Sequence, residues 1–314
     1  MRQPERISIL GGLGFMGSHI CRELVHRGYF VRIFDKLHAS HKLIGDFKGS
    51  VEIVEGDVSR PEDVLAAVAD TDTLINLIHT TVPGSSMNDP SYDVTSNVAA
   101  AANWLKQLGT TRVRKIFYFS SGGTVYGDPE SIPITEDHPT NPINSYGITK
   151  LAIEKYTAMY ARQFGIDYCL LRPSNVYGPG QRLHIGQGVI GVLANRALHG
   201  ERLEIWGPAT NRRDYLFIED LVSGLMALLS YQGPYRVFNL SSGHGHSVLD
   251  IVSILRRQIE SLPEVIHLAD RGFDVPVNVL DSSRMARETG WQPRVDLESG
   301  VMRTIHWIKN LREK

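Results

Sequence analysis

The sequence predicts an α/β fold in which a doubly wound, Rossmann-like parallel sheet is followed by a smaller C-terminal α/β lobe. Three features carry the prediction. Apolar, β-prone runs alternate with amphipathic helical segments, a glycine-rich turn joins the first run to the first helix, and the alternation loses its regularity after Arg172. The runs are "RISILG", "FVRIFD", "VEIVEG", "TLINLI", "KIFYFS" and "DYCLLRP". Helical periodicity lies between them over 14–27, 61–69, 92–108 and 146–164, and Gly28, Gly109 and Gly165 stand where helix C-caps belong. Such alternation implies helices on both faces of the sheet and ligands beyond the carboxyl ends of its strands. Later strands, "LEIW", "DYLFIE" and "RVFNLS", read as part of the smaller lobe. The expected division is 1–172 for the nucleotide-binding domain and 173–314 for a lobe interleaved with it, with no linker or repeat between them.

Composition narrows the function classes. With 33 Lys plus Arg against 34 Asp plus Glu, no long-range field attracts nucleic acid or an anionic membrane, so an anionic ligand must be held by local groups. No apolar run approaches the roughly 18 residues that span a bilayer, and "MRQPERISIL" enters a strand without a signal-peptide core. Cys21 and Cys169 fall within helical and strand patterns, as buried free thiols suited to a reducing cytoplasm.

The turn "ILGGLGFMGSHI" sets Gly11, Gly14 and Gly17 between a strand and a helix. Glycines there permit a tight turn, the approach of backbone amides to a pyrophosphate, and close helix–strand packing. Phe15 and Met16 complete that turn. Asp35 ends the second strand, 18 residues after Gly17, where a carboxylate accepts hydrogen bonds from the adenosine ribose. It disfavours a 2′-phosphate, so the implied cofactor is NAD rather than NADP, with Lys36 tempering the preference. Asp57 has two readings, a bond to the adenine amino group beside Val58 or a helix N-cap.

The stretch "YFSSGGTVYGD" ends an apolar strand in two serines and two glycines, and "NSYGITKLAIEKY" follows it with Tyr146 and Lys150 on one helical face. A tyrosine is a poor base at neutral pH, but a nearby ammonium or a positive nicotinamide ring favours its phenolate. Lys150 is expected to serve in this way while bonding a ribose hydroxyl.

These segments, with "GGLGFMG", "GDVS", "LRPSNVYGPGQ", "RRDYLFIEDL" and "RGFDVPVNVLD" in the same order, resemble the extended short-chain dehydrogenase/reductases, and among them the UDP-hexose 4-epimerases. The resemblance implies NAD-dependent epimerisation at C4 of a UDP-sugar. It also implies further cofactor contacts at Leu77 and Pro173, substrate contacts at Asn175 and Trp206, a diphosphate grip by Arg213 and Arg271, and a uridine ribose contact at Asp274. The catalytic hydroxyl of many such epimerases falls at Gly122 here, so Ser121 is expected to supply it from one residue earlier, with Thr124 in reserve. Where the family restricts its pocket with a tyrosine, this chain has Asn278, smaller and able to hydrogen-bond. UDP-N-acetylhexosamine is therefore expected to fit.

A 4,6-dehydratase would need an Asp–Glu pair where Gly123 and Thr124 stand, and a non-catalytic dinucleotide sensor would lack the Tyr and Lys. A metal site is the weakest alternative, because the close pair His244 and His246 has no carboxylate or thiol at ligand spacing and reads as polar loop. The resemblance also implies a homodimer through the helices over 92–108 and 146–164. Trp104, Leu105, Ala152 and Met159 fit that contact or packing on the sheet.

Overall fold

The computed structural model describes residues 5–183, 188–269 and 275–312. Thirteen strands occur among them: β1 Arg6–Leu10, β2 Phe30–Asp35, β3 Val51–Glu55, β4 Thr73–Asn76, β5 Lys115–Phe119, β6 Asp167–Pro173, β7 Asn175–Tyr177, β8 Leu203–Trp206, β9 Arg212–Phe217, β10 Val237–Leu240, β11 Gly245–Ser247, β12 Val265–Leu268 and β13 Val277–Asn278. A seven-stranded sheet runs β10-β6-β5-β4-β1-β2-β3. The pairings from β3 through β6 are parallel. The strand order reverses between β1 and β4, so the loops leaving these two strands flank the crevice where α/β sheets take their ligands. The chain divides into two compact units, 1–125 with 142–172 and 234–238, and 126–141 with 173–233 and 239–314.

The first unit shows why its strands are apolar throughout. Strands covered on both faces have no solvent side to alternate towards. Leu10, Phe34, Leu74, Ile116, Tyr118 and Leu170 enter one buried cluster with Val64 and Val68 of α2 (Pro61–Val68), Trp104 and Leu105 of α5 (Ala100–Leu105), and Ile153 and Ala161 of α6 (Ser145–Phe164). Ile9, Ile33, Ile75, Phe117 and Leu171 are buried as well, at positions of alternating strand direction. Each such side chain contributes about 1.5–3 kcal/mol by leaving water. Of the two roles open to the helices over 92–108 and 146–164, Trp104 and Leu105 take packing on the sheet, whereas Met159 is exposed and Ala152 half-buried. Cys21 and Cys169 are buried free thiols. No helix among the described residues is long and apolar enough to cross a membrane.

Two local features depart from expectation. "RVFNLS" becomes β10 at the edge of the large sheet rather than a strand of the smaller lobe, because its pairing with β6 is long-range and leaves no local trace. The helix expected over 92–108 is a composite: α3 (Pro83–Asn88) leads into α4 (Pro90–Asp93), a π-helical turn Val94–Ala99, and then α5. The wide turn sets Asn97 so that its Nδ2 reaches both the carbonyl (3.0 Å) and Oδ1 (3.0 Å) of Asp93.

Helix α6 carries the next steps, and both of its ends are specified. Its N-cap Asn144 accepts from the Gly147 amide at 2.8 Å, and Gly165 closes it in the left-handed conformation at φ 67°. In its middle Glu154 meets Arg172 of β6 through two hydrogen bonds, of 2.9 and 2.7 Å, with both side chains buried. Removing one partner strands a charge in the interior. Glu154→Ala should therefore cost about 3–5 kcal/mol in denaturant unfolding, while replacing both partners with Leu and Met should recover most of that loss; equal losses in the two variants would refute this role.

Candidate active site

At the C-terminal end of β1, Gly11 adopts φ 87° and its amide donates to Phe34 O at 2.8 Å, turning the chain towards α1 (Phe15–His26). A Cβ on Gly17 would lie 2.3 Å from Gly11 O and 2.6 Å from the Gly12 Cα, so only glycine allows α1 to sit this close to the turn. Gly14 is the α1 N-cap and places no side chain over the first amides. Phe15 and Met16 form the first, partly exposed turn. Asp35, at the end of β2, accepts from Leu13 N at 3.0 Å and from the exposed Lys36 N at 2.9 Å, which ties the ribose-binding candidate to the glycine turn. Leu77 follows β4 and donates its amide to Leu10 O. Asp57 is exposed and bonds Ser59 in its own loop, while the N-cap of α2 is Arg60; Val58 packs against the core. Uncapped amides, a cradle that a Cβ would fill and a carboxylate at the second strand end fit the pyrophosphate and ribose of a dinucleotide.

The loop after β5 leans on the first turn of α6. Ser120 N donates to Leu171 O at 2.7 Å, and the amides of Thr124 and Val125 both point at Ser121 O, 3.4 and 3.2 Å away. A Cβ on Gly147 would fall 2.6 Å from Thr124 O, so loop and helix touch backbone to backbone. From α6, Lys150 Nζ reaches back to donate to Phe119 O at 2.8 Å and lies 5.7 Å from the centre of the Tyr146 ring. Ser121, Thr124, Tyr146 and Lys150 are thereby brought to one end of one strand. The hydroxyls of Ser120 and Thr124 are buried without a hydrogen-bond partner.

A polar cluster behind Tyr146 escaped the sequence reading. Asp93 is fully buried and accepts from Ser145 Oγ (2.7 Å), Thr81 Oγ1 (2.5 Å) and Asn97 Nδ2, with His79 Nε2 at 3.5 Å. Thr149 Oγ1 stands 3.2 Å from Asp93 Oδ2. The His79 ring meets the Tyr146 ring edge-on, 4.6 Å between centroids. Ser86, from α3, accepts the Tyr146 amide at 3.1 Å. The one hint in the sequence is the polar run "HTT" directly after an apolar strand.

The electrostatics reverse part of the expectation. Burial, and after it the Asp93 charge, raises the Tyr146 phenol rather than lowering it. Burial also pushes Lys150 down to about 7, against the opposing pull of Glu154 and Asp93. Loss of solvation outweighs the ammonium's help at this separation. His79 is pushed down to about 4, first by burial and then by Lys150. Asp93 is held below the usual carboxylate range: burial would raise it, but hydrogen bonds from His79, Ser145 and Thr81 prevail.

In the second unit, β9 lies among β7, β11 and β13. Buried Asp214 organises it by accepting from Ser174 Oγ, Ser242 N and Oγ, and Gly243 N at 2.8–3.0 Å. Arg213 is in register with His246 on one side and buried Asn278 on the other, and Asn175 pairs with Tyr215, its Nδ2 donating to Asp214 O at 3.1 Å. Arg213, Asn175 and Asn278 thus share one small sheet. His246 belongs to β11 rather than to a loop, because β11 pairs with β9. Trp206 ends β8, 46% exposed, so its indole is not core. Pro173 is buried at the end of β6. Arg271 and Asp274 lie outside the described residues.

Comparison with known proteins identifies a family. The family model described as the NAD dependent epimerase/dehydratase family matches residues 7–241. The chain is 29% identical to the UDP-glucose 4-epimerase of Mycolicibacterium smegmatis over 310 residues, spanning 97% of this chain and 99% of that one. It is 30% identical to the dTDP-4-dehydro-6-deoxyglucose reductase of Escherichia coli over 315 residues, 96% and 97% of the two chains. Among solved structures, the UDP-glucose 4-epimerase of Thermotoga maritima with UDP-glucose superposes with a TM-score of 0.91 at 28% identity, covering 98% of this chain and 99% of that one.

The depressed Lys150 value has a signed consequence. The unfolded lysine holds its proton to near 10.5 and the folded one only to about 7, so burying the ammonium costs stability fully below pH 7, and that cost fades as pH rises towards 10.5. In the cofactor-free protein, the Tm of Lys150→Met relative to wild type should be most favourable at pH 6 and should fall as pH rises from 7 to 10; a difference independent of pH would show that the lysine is not desolvated.

Proposed function

The chain belongs to the NAD dependent epimerase/dehydratase family, the extended short-chain dehydrogenase/reductases, and we propose that it interconverts the C4 epimers of a UDP-sugar, foremost UDP-N-acetylglucosamine and UDP-N-acetylgalactosamine. The observation that carries this reading is the Tyr146–Lys150 pair, set on one face of α6 and fastened to the end of β5 by the Lys150–Phe119 bond. Gly11, Gly14, Gly17 and Asp35 would hold NAD, which would supply reversible hydride acceptance and a positive charge favouring the phenolate.

Tyr146 takes the proton of the sugar 4-hydroxyl as the C4 hydrogen leaves with its electron pair. Ser121, or Thr124 in its place, donates a hydrogen bond to the reacting oxygen. The resulting 4-keto sugar turns about its diphosphate link and presents its other face. Tyr146 then returns the proton as C4 regains its hydrogen, so net oxidation is zero. Arg213 suits a diphosphate through its planar, bidentate guanidinium, and Asn175 and Trp206 suit the nucleotide and its base. Asn278, smaller than tyrosine, leaves room for an N-acetyl group.

A second reading, reduction of a 4-keto sugar nucleotide, is favoured by the reductase relative. Omitting external reductant separates the two. When the protein is incubated with each UDP-sugar and the anomeric proton signals are followed by NMR, the C4 epimer should appear, with the N-acetylated pair turned over fastest. Tyr146→Phe should abolish this interconversion while UDP-sugar binding persists. Loss of a 4-keto sugar only when NADH or NADPH is supplied would replace the epimerase by the reductase, and undiminished turnover by Tyr146→Phe would refute the role of the phenol.

A further inference from the structure

The mechanism leaves His79 and Asp93 unused, yet they are the charged and titratable groups packed most closely behind the reacting phenol. His79, in the loop after β4, has its side chain 5% exposed, and its Nδ1 is buried with no hydrogen-bond partner. Its other nitrogen faces Thr149 Oγ1 at 3.4 Å and Asp93 Oδ1 at 3.5 Å, so an Nε2–H directed at these two oxygens leaves Nδ1 unprotonated. Asp93 is itself fixed from three directions: Thr81 beside His79, Asn97 from the π turn, and Ser145 and Thr149 from the turns of α6 that flank Tyr146. The imidazole and phenol rings meet in a T-shaped contact, 4.6 Å between centroids at an interplanar angle of 72°. A solvated loop histidine would show none of this, and a purely structural carboxylate would need no imidazole against the one ring that exchanges a proton.

We propose that Asp93 and His79 form a positioning pair for Tyr146, the carboxylate orienting the imidazole and the T-shaped contact of the two rings fixing the plane of the phenol. The inference rests on the assignment of Tyr146 as the proton-transfer group. The pair also sets the pH at which that group works. The titratable groups facing it are Tyr146 and Lys150 from α6 and Tyr118 from β5, and the Asp93 charge opposes phenolate formation at Tyr146. His79, held neutral by burial, separates the carboxylate from the ring without adding a charge.

The test uses the NAD-loaded protein and compares Asp93→Asn, His79→Ala and His79→Phe with wild type in kcat and KM across pH. Asp93→Asn keeps an acceptor but loses the charge, so the acid limb of its kcat profile should move down by about half a pH unit or more. His79→Ala should lower kcat about tenfold or more, with KM for the UDP-sugar within about threefold, and His79→Phe, which restores an aromatic edge, should regain most of that loss. An acid limb that coincides with wild type, or a His79→Phe variant as impaired as His79→Ala, would overturn the proposal; should Asp93→Asn fail to fold, the two His79 variants decide it. If wild type epimerises no UDP-sugar, the previous reading fails on its own. The pair is then read by absorbance titration of the Tyr146 phenol at 295 nm against Tyr146→Phe, where a lower midpoint in Asp93→Asn supports it and an unchanged one overturns it.

Discussion

A lysine ammonium is carried into a protein interior only where oxygen meets it, and in this chain the carbonyl of Phe119 meets Lys150. That bond joins the middle of α6 to the last residue of β5 and therefore fixes how the helix lies across the strand end. The consequences run outward from it. Tyr146, one turn earlier, is carried to the loop after β5, and Gly147 must lack a side chain because Thr124 O occupies the space. The Asn144 cap and the Glu154–Arg172 pair hold the same helix at its start and its middle.

Around this bond the interior is more polar than an apolar core tolerates without partners. Asp93, Glu154 and Lys150 are buried charged groups, and each carboxylate is answered by donors, Asp93 by hydroxyls and Glu154 by Arg172. The arrangement keeps the phenol protonated at rest, since burial and Asp93 both oppose its ionisation. The positive charge of a bound oxidised nicotinamide would oppose this, so that proton removal would be favoured when the hydride acceptor is in place.

Much of the first unit was legible in the sequence because its signals are local. β1 to β6 are apolar runs covered on both faces, the glycines around Gly14 are demanded by contacts within a few residues, and the end of α6 is marked by Gly165. Tyr146 and Lys150 were legible because their helical spacing follows a nucleotide-binding turn and a serine-rich strand end. What escaped depends on distant pairing or on a break in regular structure: β10 joining β6, the π turn that delivers Asn97, and the meeting of His79 with Asp93 across 14 residues. The cost of burial at Tyr146 was not legible either. Spacing places a cation near a ring but says nothing of how dry the place is, and here dryness outweighs the cation.

The account stands on one chemical claim, that the hydrogen at C4 leaves with its electrons and comes back to the same carbon inside one protein. A UDP-sugar carrying deuterium at C4, equilibrated with the protein in ordinary water, tests this directly. The deuterium should be found at C4 of both epimers when interconversion is complete. Its replacement by solvent hydrogen would contradict the account.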